Sequence, residues 1–140
     1  MKILLAVDGS AFTKHMLGYL ATHEALYGPQ NQFTLLTVQR PLPARVRSAL
    51  SKEVVDDYMH SEAEKILAPI SKFLLRHGIS AKSIVKPGMA GEVIARTAEG
   101  GKFDMVIMGS HGHSSMGNLV MGSVATQVLA HCKVPVLLVR

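Results

Sequence analysis

The sequence predicts a single-domain α/β protein built on an open, five-stranded parallel sheet with helices on both faces. Its 140 residues are 48% hydrophobic, which is the size and composition of one domain with a core of its own. Apolar runs rich in Ile, Val and Leu alternate with longer segments of helical spacing, a βαβαβ pattern. The five runs cover residues 2–7, 33–38, 79–85, 103–108 and 134–139.

Two of the predicted strands carry almost uninterrupted apolar sequence. Ile3 to Val7 and Val134 to Val139 show no alternation of polar and apolar residues. Strands of this kind are buried on both faces, which is typical of a parallel sheet covered by helices on each side.

Four helices are predicted between these strands, because apolar residues recur there at helical spacing. The third is short, runs from Glu92 to Glu99 and is closed by Gly100-Gly101. The break after the second strand, from Gln39 to Pro43, is predicted to be a loop. The apolar faces of the other three helices comprise Phe12, Met16, Leu17, Leu20, Ala21 and Ala25; Met59, Ala63, Ile66, Leu67, Ile70, Phe73 and Leu74; and Val124, Val128, Leu129 and Cys132.

Composition narrows the class of protein. The net charge is +5, but the cations are scattered from Lys2 to Arg140, so a solvated basic surface is favoured over a nucleic-acid site. Cys132 is the single cysteine, which excludes an internal disulfide and favours a reducing compartment. No apolar stretch approaches the ~20 residues that span a bilayer, so we expect a soluble, cytoplasmic protein with no membrane partner.

A glycine-spaced segment follows the fourth predicted strand. Gly109 and Gly112 are followed, after nine residues, by Gly122-Ser123 at the start of the last helix. Such a loop offers unpaired N–H groups and the positive end of a helix dipole, which together suit a phosphate. The glycines are expected to supply positive φ angles and room for close approach of the anion.

Polar residues also follow two other strands. Asp8 comes after the first strand and Gln39 after the second. In open parallel sheets, ligands bind beyond the carboxyl ends of the strands where the winding reverses. If the first and fourth strands are neighbours there, Asp8 and the glycine loop face the same crevice.

These residues resemble the universal stress protein family. The resemblance rests on the Gly-x2-Gly-x9-Gly-Ser spacing of Gly109 to Ser123, on Val7-Asp8-Gly9-Ser10, and on Pro135 to Arg140, and it covers residues 1–140 as one nucleotide-binding domain. It implies a Rossmann-like sheet in the order 3-2-1-4-5, a regulatory role in the stress response, and an adenine nucleotide as ligand. That ligand is ATP or another adenine nucleotide, with or without Mg.

The resemblance also implies a set of binding residues. Asp8 would lie by the ribose and the backbone of Val38 by the adenine. The loop would wrap the ribose and phosphates, and the start of the last helix would bind phosphate. The loop residues are Gly109, Gly112, His113, Ser114 and Ser115, and those of the helix start are Gly122, Ser123 and Val124.

The loop departs from the family pattern at its cations. Relatives that bind ATP often carry Arg or Lys there, whereas this chain has His113 and Asn118. His113 would lend positive charge only in its protonated form.

Other chemistries find less support. Met121-Gly122-Ser123 lacks the lysine of a Walker A loop, and the GxGxxG and G-x-S-x-G motifs are absent. His111 and His113 alone are too few ligands for zinc. A binding module is therefore favoured, without a catalytic or metal-binding residue. A slow ATP-hydrolysing enzyme and a ligand-free protein-interaction module remain the alternatives, since hydrolysis would need more than the single carboxylate Asp8.

The last strand predicts a homodimer. Val134 to Val139 is apolar and lies at the sheet edge in the implied order, with only Pro135 and Arg140 as edge protection. Antiparallel pairing with a second copy would cover that edge.

Overall fold

The fold is an open parallel sheet between two pairs of helices. The computed structural model describes residues 1–27, 30–113 and 120–140. The strands are β1 (Lys2–Ala6), β2 (Gln32–Gln39), β3 (Ala81–Pro87), β4 (Met105–Gly109) and β5 (Val136–Val139). The helices are α1 (Ala11–Thr22), α2 (Ala44–Ala49), α3 (Lys52–Arg76), α4 (Ala90–Gly100) and α5 (Ser123–His131), and a short 3₁₀ helix covers Glu24–Tyr27.

The strand order is β3-β2-β1-β4-β5, and each neighbouring pair is parallel. This confirms the predicted fold class and the predicted order. From β1 the chain winds outward through β2 to β3, then crosses back to β4 on the other side of β1. The winding therefore reverses between β1 and β4, where Ala6 pairs with Met108.

Alternate side chains of β1 enter two separate cores, as the uninterrupted apolar runs predict. Ile3 and Leu5 pack with α1 and α3 on one face, and Leu4 and Ala6 pack with α4 and α5 on the other. Ile3, Leu4 and Leu5 are completely buried. The central strands are thus held rigidly, and the segments that leave their carboxyl ends have a fixed starting point.

The structure adds one α-helix to the four predicted ones and extends another beyond its predicted apolar face. The basic segment after β2 forms the short helix α2, all of whose residues are exposed. Helix α3 begins at Lys52, capped by Ser51, whose Oγ accepts from the Val54 amide, and it continues past Pro69 to Arg76. No helix in the described ranges combines the length and the apolar character that a membrane span requires.

Candidate functional site

A cleft of about 490 Å³ opens at the winding reversal, beyond the carboxyl ends of the central strands. It is bounded by the turn after β1, the end of β2, the start of α4, the loop after β4 and the first turn of α5. Ligands of open α/β proteins bind in this position, and the volume lies in the range of about 300–1,000 Å³ typical of small-molecule sites.

Asp8 is fixed at the base of this cleft by the turn that starts α1. Its Oδ1 accepts hydrogen bonds from the Ser10 amide (2.9 Å) and the Thr13 hydroxyl (2.9 Å). Ser10 in turn caps α1, since its Oγ accepts from the Thr13 amide. Gly9 takes φ +75° between them, a conformation that favours glycine. One carboxylate oxygen is therefore engaged in the turn, and Oδ2 is directed towards the loop after β4.

The loop glycines have a different role from the one predicted. Among the described glycines only Gly9, Gly78 and Gly88 have positive φ, so the expectation of positive φ at Gly109, Gly112 and Gly122 is wrong. What these glycines provide is close contact. A Cβ at Gly109 would lie 2.6 Å from the Cβ of Phe12, and one at Gly112 would lie 2.8 Å from Asp8 Oδ2.

Gly122 likewise allows two stretches of chain to meet. A Cβ there would lie 3.0 Å from His111 Cα and 3.1 Å from the Ser110 carbonyl oxygen, and the Gly122 amide donates to that oxygen (2.8 Å). A side chain at position 122 would thus push on the loop backbone. Glycine fits here without strain because the start of α5 lies directly against the loop that follows β4.

Helix α5 presents its first turn to the cleft. Gly122 is the N-cap residue and has no side chain to accept from the helix amides. Ser123, Val124 and Ala125 line the cleft, and amides in a first helical turn have no acceptor within the helix. Their N–H groups lie at the positive end of the helix dipole, an arrangement that favours an anion on general physical grounds.

The two histidines of the loop have defined partners. His113 Nε2 lies 2.6 Å from the main-chain oxygen of Asp8, although the ring is exposed. His111 Nδ1 lies 2.9 Å from Ser110 Oγ, and its ring is tilted against Phe12 with centroids 4.8 Å apart. The histidine pair therefore joins the loop to neighbouring segments.

The opposite wall comes from the ends of β2 and β3. Val38 lines it together with Arg40, Gly88, Ala90 and Ile94. Gly88 has φ +132°, and its amide donates to the Gln39 carbonyl oxygen (2.9 Å), which ties the two strand ends together.

Arg40 is a functional candidate that is not among the predicted site residues. The scattered cations of the sequence predict a solvated basic surface, yet Arg40 lines the cleft. Among the described residues of the lining, Arg40 is the one Arg or Lys and Asp8 the one carboxylate. Its position two residues beyond Val38, at the carboxyl end of β2, was the signal that could have identified it.

Eight of the ten predicted binding residues line this one cleft. Asp8, Val38 and Val124 come from three different elements, and Ser114 and Ser115 lie outside the described residues, as does Asn118. The other five residues in the lining are Gly109, Gly112, His113, Gly122 and Ser123.

Comparison with known proteins identifies the family of this chain. The profile described as "Universal stress protein family" matches residues 1–140, and the chain belongs to this family. Universal stress protein Slr1230 of Synechocystis sp. is 31% identical over 139 residues, which cover 99% of this chain and 42% of that protein. The chain thus spans less than half the length of this relative.

Solved structures share the fold. The structure of hypothetical protein MJ0577, from Methanocaldococcus jannaschii, is 28% identical with a TM-score of 0.83, and covers 99% of this chain and 94% of that one. A universal stress protein family protein from Arabidopsis thaliana, described with AMP bound, has a TM-score of 0.70 at 18% identity and covers 99% and 90% of the two chains.

Proposed function

We propose that this protein binds an adenine nucleotide in the cleft between β1 and β4 and acts as a nucleotide-dependent regulatory protein of the stress response. The observation that carries the proposal is the arrangement of two groups around one cleft. The uncapped first turn of α5 and the carboxylate of Asp8 both line it. A nucleotide needs donors for its phosphate and an acceptor for its ribose hydroxyls in the same cleft.

Each part of the nucleotide has a proposed partner. The amides of Ser123 and Val124, with the Ser123 hydroxyl, would donate to phosphate oxygens, because charge-assisted hydrogen bonds at a helix N-terminus favour an anion. Asp8 Oδ2 would accept from a ribose hydroxyl, since Oδ1 already has its two donors. The adenine would lie against Val38 and Ile94, the apolar part of the lining.

The loop would close over the sugar and phosphates. Gly109 and Gly112 keep it near Phe12 and Asp8, and His113 is bonded to the Asp8 carbonyl oxygen. We include Ser114 and Ser115 in the proposed phosphate site on the strength of the family resemblance alone. ATP is the proposed ligand, with any Mg held by its phosphates, and AMP and ADP are the related nucleotides to be compared.

We propose binding without efficient hydrolysis. Phosphoryl transfer needs a positioned base and charge stabilisation at the γ-phosphate. The carboxylate that the described lining offers is Asp8, whose Oδ1 is engaged by Ser10 and Thr13. The signal would be the presence of a nucleotide in the cleft, transmitted through the loop and α5. We assign this role to the cytoplasm, where nucleotides are abundant and a free thiol such as that of Cys132 is stable.

We further propose a homodimer through β5. This strand is at the sheet edge, and its four residues are only partly buried within one chain. Leu137 and Val139 face one core, and Val136 and Leu138 face the other. Antiparallel pairing of two β5 strands would continue the sheet and both cores, and would remove an exposed edge.

The direct test is mass spectrometry of small molecules released by denaturing freshly purified protein. An adenine nucleotide in near-stoichiometric amount is expected. Calorimetry with ATP, ADP, AMP and adenosine should then show how much each phosphate adds to the affinity. Protein that carries no nucleotide and binds none of the four would contradict the proposal and favour a ligand-free interaction module. A single-turnover assay with ATP separates binding from hydrolysis, since an enzyme would convert the bound nucleotide.

A further inference from the structure

A second concavity, of about 440 Å³, lies on the α4 side of the sheet next to the edge strand β3. It is separate from the cleft described above. Along α4, Ile94 faces the cleft, whereas Thr97 and Gly100 face this groove. We call it the basic groove and define it by Lys2, Lys82, Lys86, Arg96, Thr34 and Thr97.

The basic groove has a strongly one-sided charge. Four of the described residues in its lining are Lys or Arg, and none of them is Asp or Glu. Glu92 is the partner of Arg96, at 3.5 Å, but both side chains are well exposed, so this pair is weak. Lys82 forms no ion pair within the described part of the chain. The four cations therefore retain most of their attraction for an anion.

Two of the cations are held in position by neutral acceptors. Lys2 Nζ donates to the Gly101 carbonyl oxygen (2.5 Å) and lies 4.6 Å from the centroid of the Phe103 ring. Lys86 Nζ donates to Thr97 Oγ1 (3.1 Å). An ammonium group has three donors, so each lysine has donors left for a ligand. These contacts already restrict the two lysine side chains, which reduces the conformational entropy lost when a ligand binds.

Structural roles do not explain the whole set. Lys2 closes the carboxyl end of α4 and Lys86 covers the buried Thr97, which accounts for these two residues in the absence of a ligand. Lys82 and Arg96 are exposed and have no such contact with the core. Lysine on an edge strand also discourages aggregation. That role would be served on either face of β3, whereas Lys82 and Lys86 share the groove face with Ile84.

The dimensions favour a small ligand with more than one anionic group. Lys82 and Lys86 are four residues apart on β3, about 13 Å along a strand. A single phosphate cannot contact both without bending the side chains together, whereas two or three linked phosphoryl groups can. The hydroxyls of Thr34 and Thr97, both buried, add polar groups at the floor. The volume is that of a small-molecule site rather than of an extended macromolecular surface.

We propose that the basic groove binds a small multivalent anion of the oligophosphate class. Phosphoryl oxygens accept from ammonium, guanidinium and hydroxyl donors, and the groove presents all three. The proposal is independent of nucleotide binding in the cleft, because the two sites are lined by different residues.

The test uses inorganic tripolyphosphate as the probe, at low ionic strength, with calorimetry and amide chemical-shift mapping. Lys82→Glu should weaken binding about tenfold, because it replaces an attractive charge by a repulsive one. The matched control is Lys72→Glu, which makes the same charge change at an exposed position on α3. The control should change the affinity less than about twofold. Arg96→Gln provides a milder variant, should Lys82→Glu alter the fold.

Shift changes are expected at residues 82–86 and 96–101. Changes confined to residues 109–113 and 122–125 would overturn the proposal, because the probe would then occupy the cleft. Equal losses in Lys82→Glu and Lys72→Glu would overturn it as well, since net charge alone would explain them. A single-stranded oligonucleotide that bound the wild type more tightly than tripolyphosphate, and lost affinity in Lys82→Glu, would reassign the groove to nucleic acid.

Discussion

His113 Nε2 lies 2.6 Å from the main-chain oxygen of Asp8, a contact between residues 105 positions apart in the sequence. It joins the loop after β4 to the turn after β1, on the two sides of the winding reversal. The described part of the loop is thus hydrogen-bonded to the turn that carries Asp8, the residue proposed to bind the ribose. This contact gives His113 a positioning role that does not depend on its charge.

We therefore expect His113→Ala to weaken adenosine and ATP by a similar factor, about threefold, because the lost hydrogen bond loosens the loop around the sugar. Calorimetry with both ligands measures this, with His60→Ala on the exposed side of α3 as the control. A loss seen with ATP and not with adenosine would instead mean that the imidazole acts on the phosphates.

Ser123→Ala should weaken ATP about threefold to tenfold and leave adenosine nearly unchanged, because the hydroxyl at the start of α5 would donate to a charged group. Ser61→Ala, at an exposed position in the middle of α3, is the matched control and should have no effect. Equal affinities of wild type and Ser123→Ala for ATP would remove the α5 terminus from the proposed phosphate site.

Arg40→Ala should weaken ATP about threefold to tenfold, because its guanidinium is the permanent cation in the described lining of the cleft. Adenosine should be affected much less. The matched control is Arg45→Ala, which removes the same side chain from the exposed helix α2. Identical titrations of the two variants would show that Arg40 acts only as a solvated surface charge.

Gly122→Ala should destabilise the fold by about 1 kcal/mol or more, since its Cβ would lie 3.0 Å from His111 Cα and 3.1 Å from Ser110 O. The control is Gly18→Ala. That position is inside α1 with nothing within 4 Å of the added Cβ, so alanine should stabilise by about 0.5–1 kcal/mol. Chemical denaturation measures both. A Gly122→Ala protein as stable as wild type would show that the loop backbone moves away freely.

Val136→Pro should convert the proposed dimer to a monomer. The carbonyl oxygens of Pro135 and Val139 accept from Val106 in β4 and from Ser110 directly after it. The backbone groups of Val136 and Leu138 therefore point to the free edge. Proline removes the outward donor at position 136. Val136→Thr keeps that donor and the branched shape, and should remain dimeric. Sedimentation at micromolar concentration distinguishes the two, and a monomeric wild type would refute the dimer.

The sequence by itself determined the central strand β1 and its environment. Ile3 to Val7 could be assigned to a doubly covered strand because burial on both faces leaves no polar position. The glycine spacing from Gly109 to Ser123 likewise indicated a loop at a helix start, since chain direction and local composition define both. Both are local signals, which can be recognised within a few residues of sequence.

Only the tertiary structure decided which residues meet. Arg40 looks like any solvated cation in the sequence, and it lines the cleft because β2 ends beside β1. Gly122 looked like a site for a phosphate, but its contact with His111 comes from the return of the chain at α5. The basic groove joins Lys2 to Lys82, eighty positions away, across β2. Such contacts depend on strand order and register. Long-range packing determines both, and the local periodicity of the sequence does not predict them.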